Sequence, residues 1–185
     1  MNATADKRLL YLEAAGAVFI GTLAPVMHGL YDFFDGELIG ILFGSVNESV
    51  WESCKTLLFA YLIWAVLEPL LLRVSVRRFT SAKAAALYAL GAVYILLRQT
   101  GIEMHVAAAV SVIAALALSF LLYSSALPLQ RVFAAALIML FLFIALYFSL
   151  TPFAPENELF RDPETGLCGI PRRVAHYRGA VGFSG

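Results

Sequence analysis

Five times along this chain an apolar run of about the length needed to cross a bilayer is closed by a short polar break: residues 9–31, 52–73, 82–98, 104–123 and 132–151. A helix rises about 1.5 Å per residue, so roughly twenty residues cover a hydrocarbon core of about 30 Å. Lipid offers backbone N–H and C=O groups no partner, so a chain of such runs has to satisfy them within each segment, as helices. The fold class that follows is all-α: a polytopic membrane helix bundle of about five transmembrane helices. Composition agrees, with 61% hydrophobic residues and 14% charged, where a soluble domain carries about a quarter charged. The formal net charge is zero, so the chain lacks the basic footprint of a nucleic-acid binder, and the partner it implies is the lipid bilayer. Two cysteines are too few for a disulfide framework and lack zinc-ribbon spacing.

Lys7 and Arg8 precede the first run. That run is too long for a signal-peptide core and has no small-residue cleavage site, so it reads as a span, kinked by Pro25 near its far end. Asp32–Gly44 follows, with an apolar core at Leu38–Phe43 that is too short to cross and reads as a re-entrant or interfacial segment. Next comes the polar stretch FGSVNESVWESCK, Phe43–Lys55. Ser45 and Glu48 have the S-x-x-E spacing of a capping box, which starts the second helix there. Glu48 and Glu52 then share one helical face with Lys55 beside Glu52, and Trp51 suits a membrane–water interface. A cap, an interfacial anchor and an ion pair would account for these residues without any further role. Glu68, near the inner end of the second span, is expected to pair with Arg73 by snorkelling, and Arg73, Arg77, Arg78 and Lys83 form a basic loop. The membrane domain occupies residues 1–151, and residues 152–185 form a polar tail, ordered to about residue 170.

With the N-terminus cytoplasmic, the inner segments carry seven of the 13 Lys and Arg: Lys7, Arg8, Arg73, Arg77, Arg78, Lys83 and Arg131. The outer side carries Lys55, Arg98 and four tail arginines, most of them beyond the reach of the positive-inside rule. The expected topology is N-terminus in, C-terminus out, in a cell (plasma or inner) membrane. The outer face then collects the Phe43–Lys55 stretch, the Arg98–Glu103 turn, His105 and the early tail, with His28 just beneath. Polar groups at that depth are costly unless paired or hydrated, and they mark a candidate site.

These segments resemble a family of small prokaryotic integral-membrane proteins catalogued as a domain of unknown function. The resemblance rests on Met27–Tyr31 (MHGLY, with its late histidine), Val46–Lys55 (VNESVWESCK, against a VNESVWEHLK-like signature), Gln99–Ile102 (QTGI, against YTGI) and Leu159–Ile170 (LFRDPETGLCGI). It covers most of the chain up to Ile170 and implies a multi-helix membrane fold without specifying an activity. Three positions depart from the pattern: Ser53 stands in place of histidine, Cys54 in place of leucine and Cys168 in place of tyrosine. The histidine's absence weakens any catalytic scheme built on it. Both cysteines fall on the expected outer face, and a Cys54–Cys168 disulfide would pin the tail over the acidic motif, contributing roughly 4–5 kcal/mol in chain-entropy models.

Three functional readings remain open. One is an outer polar site for a small molecule or ion, drawing on His28, Asn47, Glu48, Glu52, Arg98, Glu103 and His105, with Arg161 and Asp162 within reach from the tail. His28, Glu48, Glu52 and His105 are the candidate ligands for a divalent metal there. Another is a membrane-embedded metal-dependent hydrolase or transferase using Glu48 or Glu52 as general base. The third is a structural subunit whose motif and tail dock a protein partner. No HExxH or CxxC spacing ties any two ligands together. A histidine at a helix end is more often simply hydrogen-bonded, and Arg161–Asp162 is more simply a surface pair.

Overall fold

A computed structural model describes residues 3–72 and 74–170. Arg73, the tail arginines Arg172, Arg173 and Arg178, and the rest of the chain beyond Ile170 lie outside the described residues. The described chain is helical: α1 (Ala3–His28), α2 (Leu30–Phe33), α3 (Leu38–Phe43), α4 (Val50–Leu71), α5 (Val76–Gln99), α6 (Met104–Ser124) and α7 (Phe133–Leu150), the last entered through a 3-10 turn at Leu129–Val132. Five segments are long and apolar enough to cross a membrane: Lys7–His28, Val50–Leu71, Val76–Gln99, Met104–Ser124 and Leu129–Leu150. This is a multi-pass helix bundle. Four helices close a ring in which α1 packs on α4 and α6, and α5 packs on the same two; α7 leans on α5 from outside. The ring's core holds Ile20, Tyr61, Leu87, Leu90 and Tyr94, all essentially without exposure. Hydrophobic side chains also point outward, among them Val18, Leu70, Ile113 and Phe141, as lipid-facing surfaces require.

Between the first two spans the chain makes a short hairpin. Asp35 and Gly36 turn it with positive φ (50° and 71°), and α2 and α3 fold against each other, four and six residues long. Glycine is required at the contact: a Cβ on Gly40 would lie 2.8 Å from Tyr31 Cα, and one on Gly44 2.6 Å from Tyr31 N. The short non-spanning segment expected at Leu38–Phe43 is therefore present as α3.

Helix α4 starts four residues later than the Ser45 capping box would place it. Its N-cap is Ser49, whose Oγ accepts from Glu52 N at 3.3 Å, while Ser45 donates to the carbonyl of Asn47. Both serines have an S-x-x-E spacing, and the Ser49–Glu52 register wins because it carries Glu52 into the bundle. Glu48 consequently precedes the helix and does not share a face with Glu52.

Helix α5 begins at Val76 rather than near residue 82, so the expected basic loop is largely helix. Arg78 folds back to the C-terminus of α6, donating to the carbonyls of Tyr123 and Leu127 at 2.7 Å each and to that of Ser125. The Tyr123 and Ser125 carbonyls are among those a helix end leaves without intrahelical donors, and the guanidinium supplies them. Lys83 turns inward and is buried, 2.6 Å from Glu68 and 2.8 Å from Glu13 of α1. Glu68 thus pairs across helices with Lys83, because the acid faces the ring interior, while its expected neighbour Arg73 lies outside the described residues.

The tail up to Ile170 packs onto the start of α4. Trp51 N donates to the carbonyl of Leu159 at 2.9 Å, Asn47 Nδ2 to that of Gly169 at 2.8 Å, and Trp51 stacks obliquely on Phe160. Asp162 is buried and holds the tail turn, accepting from Thr165 Oγ1 at 2.6 Å and from Glu164 N at 3.0 Å. Arg161 bonds Glu158 and the carbonyl of Gly166. Neither side chain reaches the acidic motif, and they do not pair with each other. Cys54 and Cys168 are both free. Cys54 points into the α4–α5 interface, where a Cβ on Gly91 would lie 3.9 Å from its Sγ, while Cys168 faces the carbonyl of Asn157 in the tail. The expected disulfide does not form because Cys54 lies on the buried side of its helix.

Candidate functional site

One end of the bundle gathers the C-termini of α1, α5 and α7 and the N-termini of α4 and α6. Most sequence candidates lie there, but they divide into separate groups.

Glu52 and Lys55 form the first. Both are buried, one helical turn apart on α4, with Nζ 2.6 Å from Oε2. Thr151 closes the pair, accepting from Lys55 Nζ at 2.8 Å and donating to Glu52 Oε1 at 2.7 Å. Val46 N donates to Glu52 Oε2, and Lys55 also reaches the carbonyl of Ile41. Both carboxylate oxygens of Glu52 and the Lys55 ammonium are thus engaged within the protein. The group is a lock between α3, α4 and the end of α7, with charges balanced one to one.

His28 and Glu48 form the second, with Nε2 and Oε1 3.0 Å apart and both side chains partly exposed. Asn47 belongs to the motif's own backbone, its Oδ1 accepting from Ser49 N while its amide holds the tail. His28 and Glu48 are therefore the two members of the acidic motif's neighbourhood still open to chemistry.

The third group caps α6. Glu103 is its N-cap, with Oε2 accepting from Val106 N at 3.0 Å. The backbone N–H groups of His105 and Val106 hold its carboxyl below the usual carboxylate range, as donors to a carboxylate do. His105 is largely exposed, 4.0 Å from that carboxylate. Arg98 donates to the carbonyl of Ile102 at 2.7 Å and keeps a buried Nε without a partner among the described residues. It sits one turn beyond Tyr94 on the same side of α5.

Between these groups and the helices below them lies a cleft of about 390 Å³. Ala17, Gly21 and Ala24 of α1 face Ala108 and Ala109 of α6 across it, and these small side chains leave the space open. His28 and His105 stand at its polar end, and Ser53, Thr56 and Tyr94 project into it from α4 and α5. The Tyr94 hydroxyl is buried, faces Ser53 and makes no hydrogen bond of ordinary geometry among the described residues. The exposed Ile113 and Gly21 among the lining residues show that it opens sideways, between α1 and α6.

Among the described residues, no group of three or more His, Cys, Asp or Glu is placed to hold a metal ion. Glu52 is consumed by Lys55 and Thr151, leaving His28–Glu48 as a two-member pair, so the candidate metal set does not assemble. Sequence reasoning found the cleft's rim and missed its wall. Tyr94 and Arg98, four residues apart, and Ser53 with Thr56, three apart, were the available signals: polar groups at helical spacing inside spans.

A family model described as "Family of unknown function (DUF6512)" matches residues 1–170. No curated protein and no solved structure matches the chain.

Proposed function

We propose that this chain, which belongs to the family of unknown function DUF6512, is a membrane receptor or carrier for a small anionic amphiphile, held in the cleft between α1 and α6. The observation that carries the reading is the cleft itself: apolar walls, the buried Tyr94 hydroxyl at the back, and His28 and His105 at the mouth. Apolar pockets with a few convergent polar groups are where ligands bind. An acyl or prenyl body matches the small-residue walls, and entry from the side suits a molecule already dissolved in lipid. A carboxylate or phosphate head would meet the two imidazoles near Arg98, whose Nε lacks a partner.

The test uses a diazirine-bearing fatty acid and the purified protein in lipid nanodiscs. Labelling is expected to concentrate on Gly21, Ala109 and Ile113, and to fall at least several-fold in Ala109→Trp, which fills the cleft. Labelling spread evenly over the lipid-facing helices and unchanged in Ala109→Trp would reject the proposal.

A second reading, a hydrolase or transferase, is favoured by the His28–Glu48 pair, since a carboxylate-oriented imidazole beside a cleft has the arrangement of a general base. Turnover of an ester or phosphoester probe that is lost in both His28→Gln and Glu48→Gln would favour it over carriage.

The proposed orientation keeps the N-terminus cytoplasmic. Lys55 and Lys83 are buried in the bundle and drop out of the loop count. Among the described residues, Lys7, Arg8, Arg77, Arg78 and Arg131 remain at one end, against Arg98 and Arg161 at the other. Cys168 is a native reporter: a membrane-impermeant thiol reagent should label it from outside intact cells while the buried Cys54 stays unmodified.

A further inference from the structure

We propose that Glu13, Glu68 and Lys83 form a proton-binding site inside the spanning bundle, where the carboxylate pair holds one exchangeable proton. The site stands apart from the cleft and does not depend on it.

Three helices deliver it. Glu13 of α1 and Glu68 of α4 both close on the single Nζ of Lys83 of α5, at 2.8 and 2.6 Å. All three are buried, with 4%, 0% and 4% of their surface exposed. Two carboxylates and one ammonium leave one negative charge in excess. Among the described residues, no further cation neutralises it. Tyr61 of α4 lies under Nζ, 5.6 Å from its ring centre, and Phe79 of α5 flanks it at 5.3 Å. Tyr61 is the other titratable group facing the site, and α6 contributes the neutral Ser119. Of the described cations near these residues in sequence, Arg8 and Arg77 are exposed and Arg78 is turned away onto the carbonyls at the end of α6.

Partners are missing as well as charge. Among the described residues, Glu13 Oε1 and Glu68 Oε1 are buried without a hydrogen bond of ordinary geometry, and the only further donors facing the two acids are the neutral Ser119 hydroxyl and the Trp64 indole. An uncompensated charge in low dielectric is far more costly than a protonated carboxyl, and like carboxylates sharing one site do not both ionise. A proton on one carboxylate removes the excess charge and supplies a donor where acceptors crowd. The step is simple acid–base chemistry: hydronium gives a proton to a carboxylate oxygen and leaves water, and the reverse step returns it. Glu13 is the member that exchanges, because it also lines a groove between α1 and α6, beside Leu10, Ala17, Leu116 and Phe120.

The experiment is infrared spectroscopy of the folded full chain in nanodiscs, titrated from neutral to alkaline pH. The wild type should show a protonated carboxylic acid band at neutral pH that disappears as the pH rises. The same band should shift when the protein is made with carbonyl-13C glutamate, a control that requires no variant to fold. Glu13→Gln and Glu68→Gln should each abolish it, because either leaves one carboxylate balanced by Lys83. Absence of the band from the folded wild type, a band that glutamate labelling does not shift, or a band surviving in either variant would each overturn the proposal.

Discussion

Two buried ionic groups lie toward opposite ends of the same helix, α4, and they are built to opposite rules. At its start, Glu52 meets one cation, Lys55, and each carboxylate oxygen has a partner, with Thr151 and the Val46 N–H supplying the rest. Toward its end, Glu68 shares one cation with Glu13, and both carboxylates keep an oxygen without a hydrogen bond among the described residues. Burial is nearly equal at the two places, so depth is not what separates them. Charge balance and partner count are. A balanced, fully bonded pair is a fastening that resists change, whereas an unbalanced one has a chemical state left to fill.

That contrast is broken most sharply by substitution at the two acids. Glu52→Gln leaves Lys55 as an unmatched buried charge and should lower stability by about 3–5 kcal/mol. Glu68→Gln puts a neutral amide where the pair otherwise holds its proton, leaving Glu13 balanced by Lys83, and should change stability by no more than on the order of 1 kcal/mol, the scale of one hydrogen bond. Reversible unfolding in mixed micelles measures both, and equal losses would erase the distinction. A smaller effect concerns the register of α4. Ser49→Ala removes its cap and should cost about 1 kcal/mol, while Ser45→Ala leaves the helix start intact; the reverse ranking would restore the earlier start. The smallest effect is on acid sensitivity. Glu103's carboxyl is held low in the folded state, so its stabilisation is present above the usual carboxylate range and is lost as pH falls through its lowered value. Glu103→Gln should therefore narrow the drop in Tm between neutral and acidic pH, and an unchanged drop would show that the cap contributes nothing to it.

The spans were legible because apolar length is a local property, set by bilayer thickness and backbone hydrogen bonding. The short α3 was legible for the same reason, being too brief to cross. The side on which a charge sits was not legible. Lys83 follows Arg77 and Arg78 closely enough to pass for loop, and only the packing of α1, α4 and α5 turns it inward to meet Glu13. Glu68 stood out as an ionisable residue within a span, but its partner was sought nearby in sequence at Arg73, whereas helix packing supplied Lys83. The two S-x-x-E spacings beginning at Ser45 and Ser49 are locally equivalent, and the choice between them rests on Thr151, 99 residues from Glu52. Within the candidate site, the His28–Glu48 neighbourhood could be reached from sequence because both residues flank the same short hairpin. Tyr94 carried only the weak signal of its spacing from Arg98, since nothing local distinguishes a tyrosine facing a cleft from one facing lipid.

The Glu52–Lys55–Thr151 fastening also bears on how the protein is made. Chains emerge from the ribosome in order, so the second span enters the membrane before Thr151 exists to receive its lysine and before Leu159 exists to accept from Trp51 N. During that interval α4 carries an ion pair lacking its hydroxyl bridge and a helix start lacking its final acceptor. Insertion of the later spans and closure of the tail complete a segment synthesised about a hundred residues earlier. The order of synthesis and the order of completion are thus reversed for this helix.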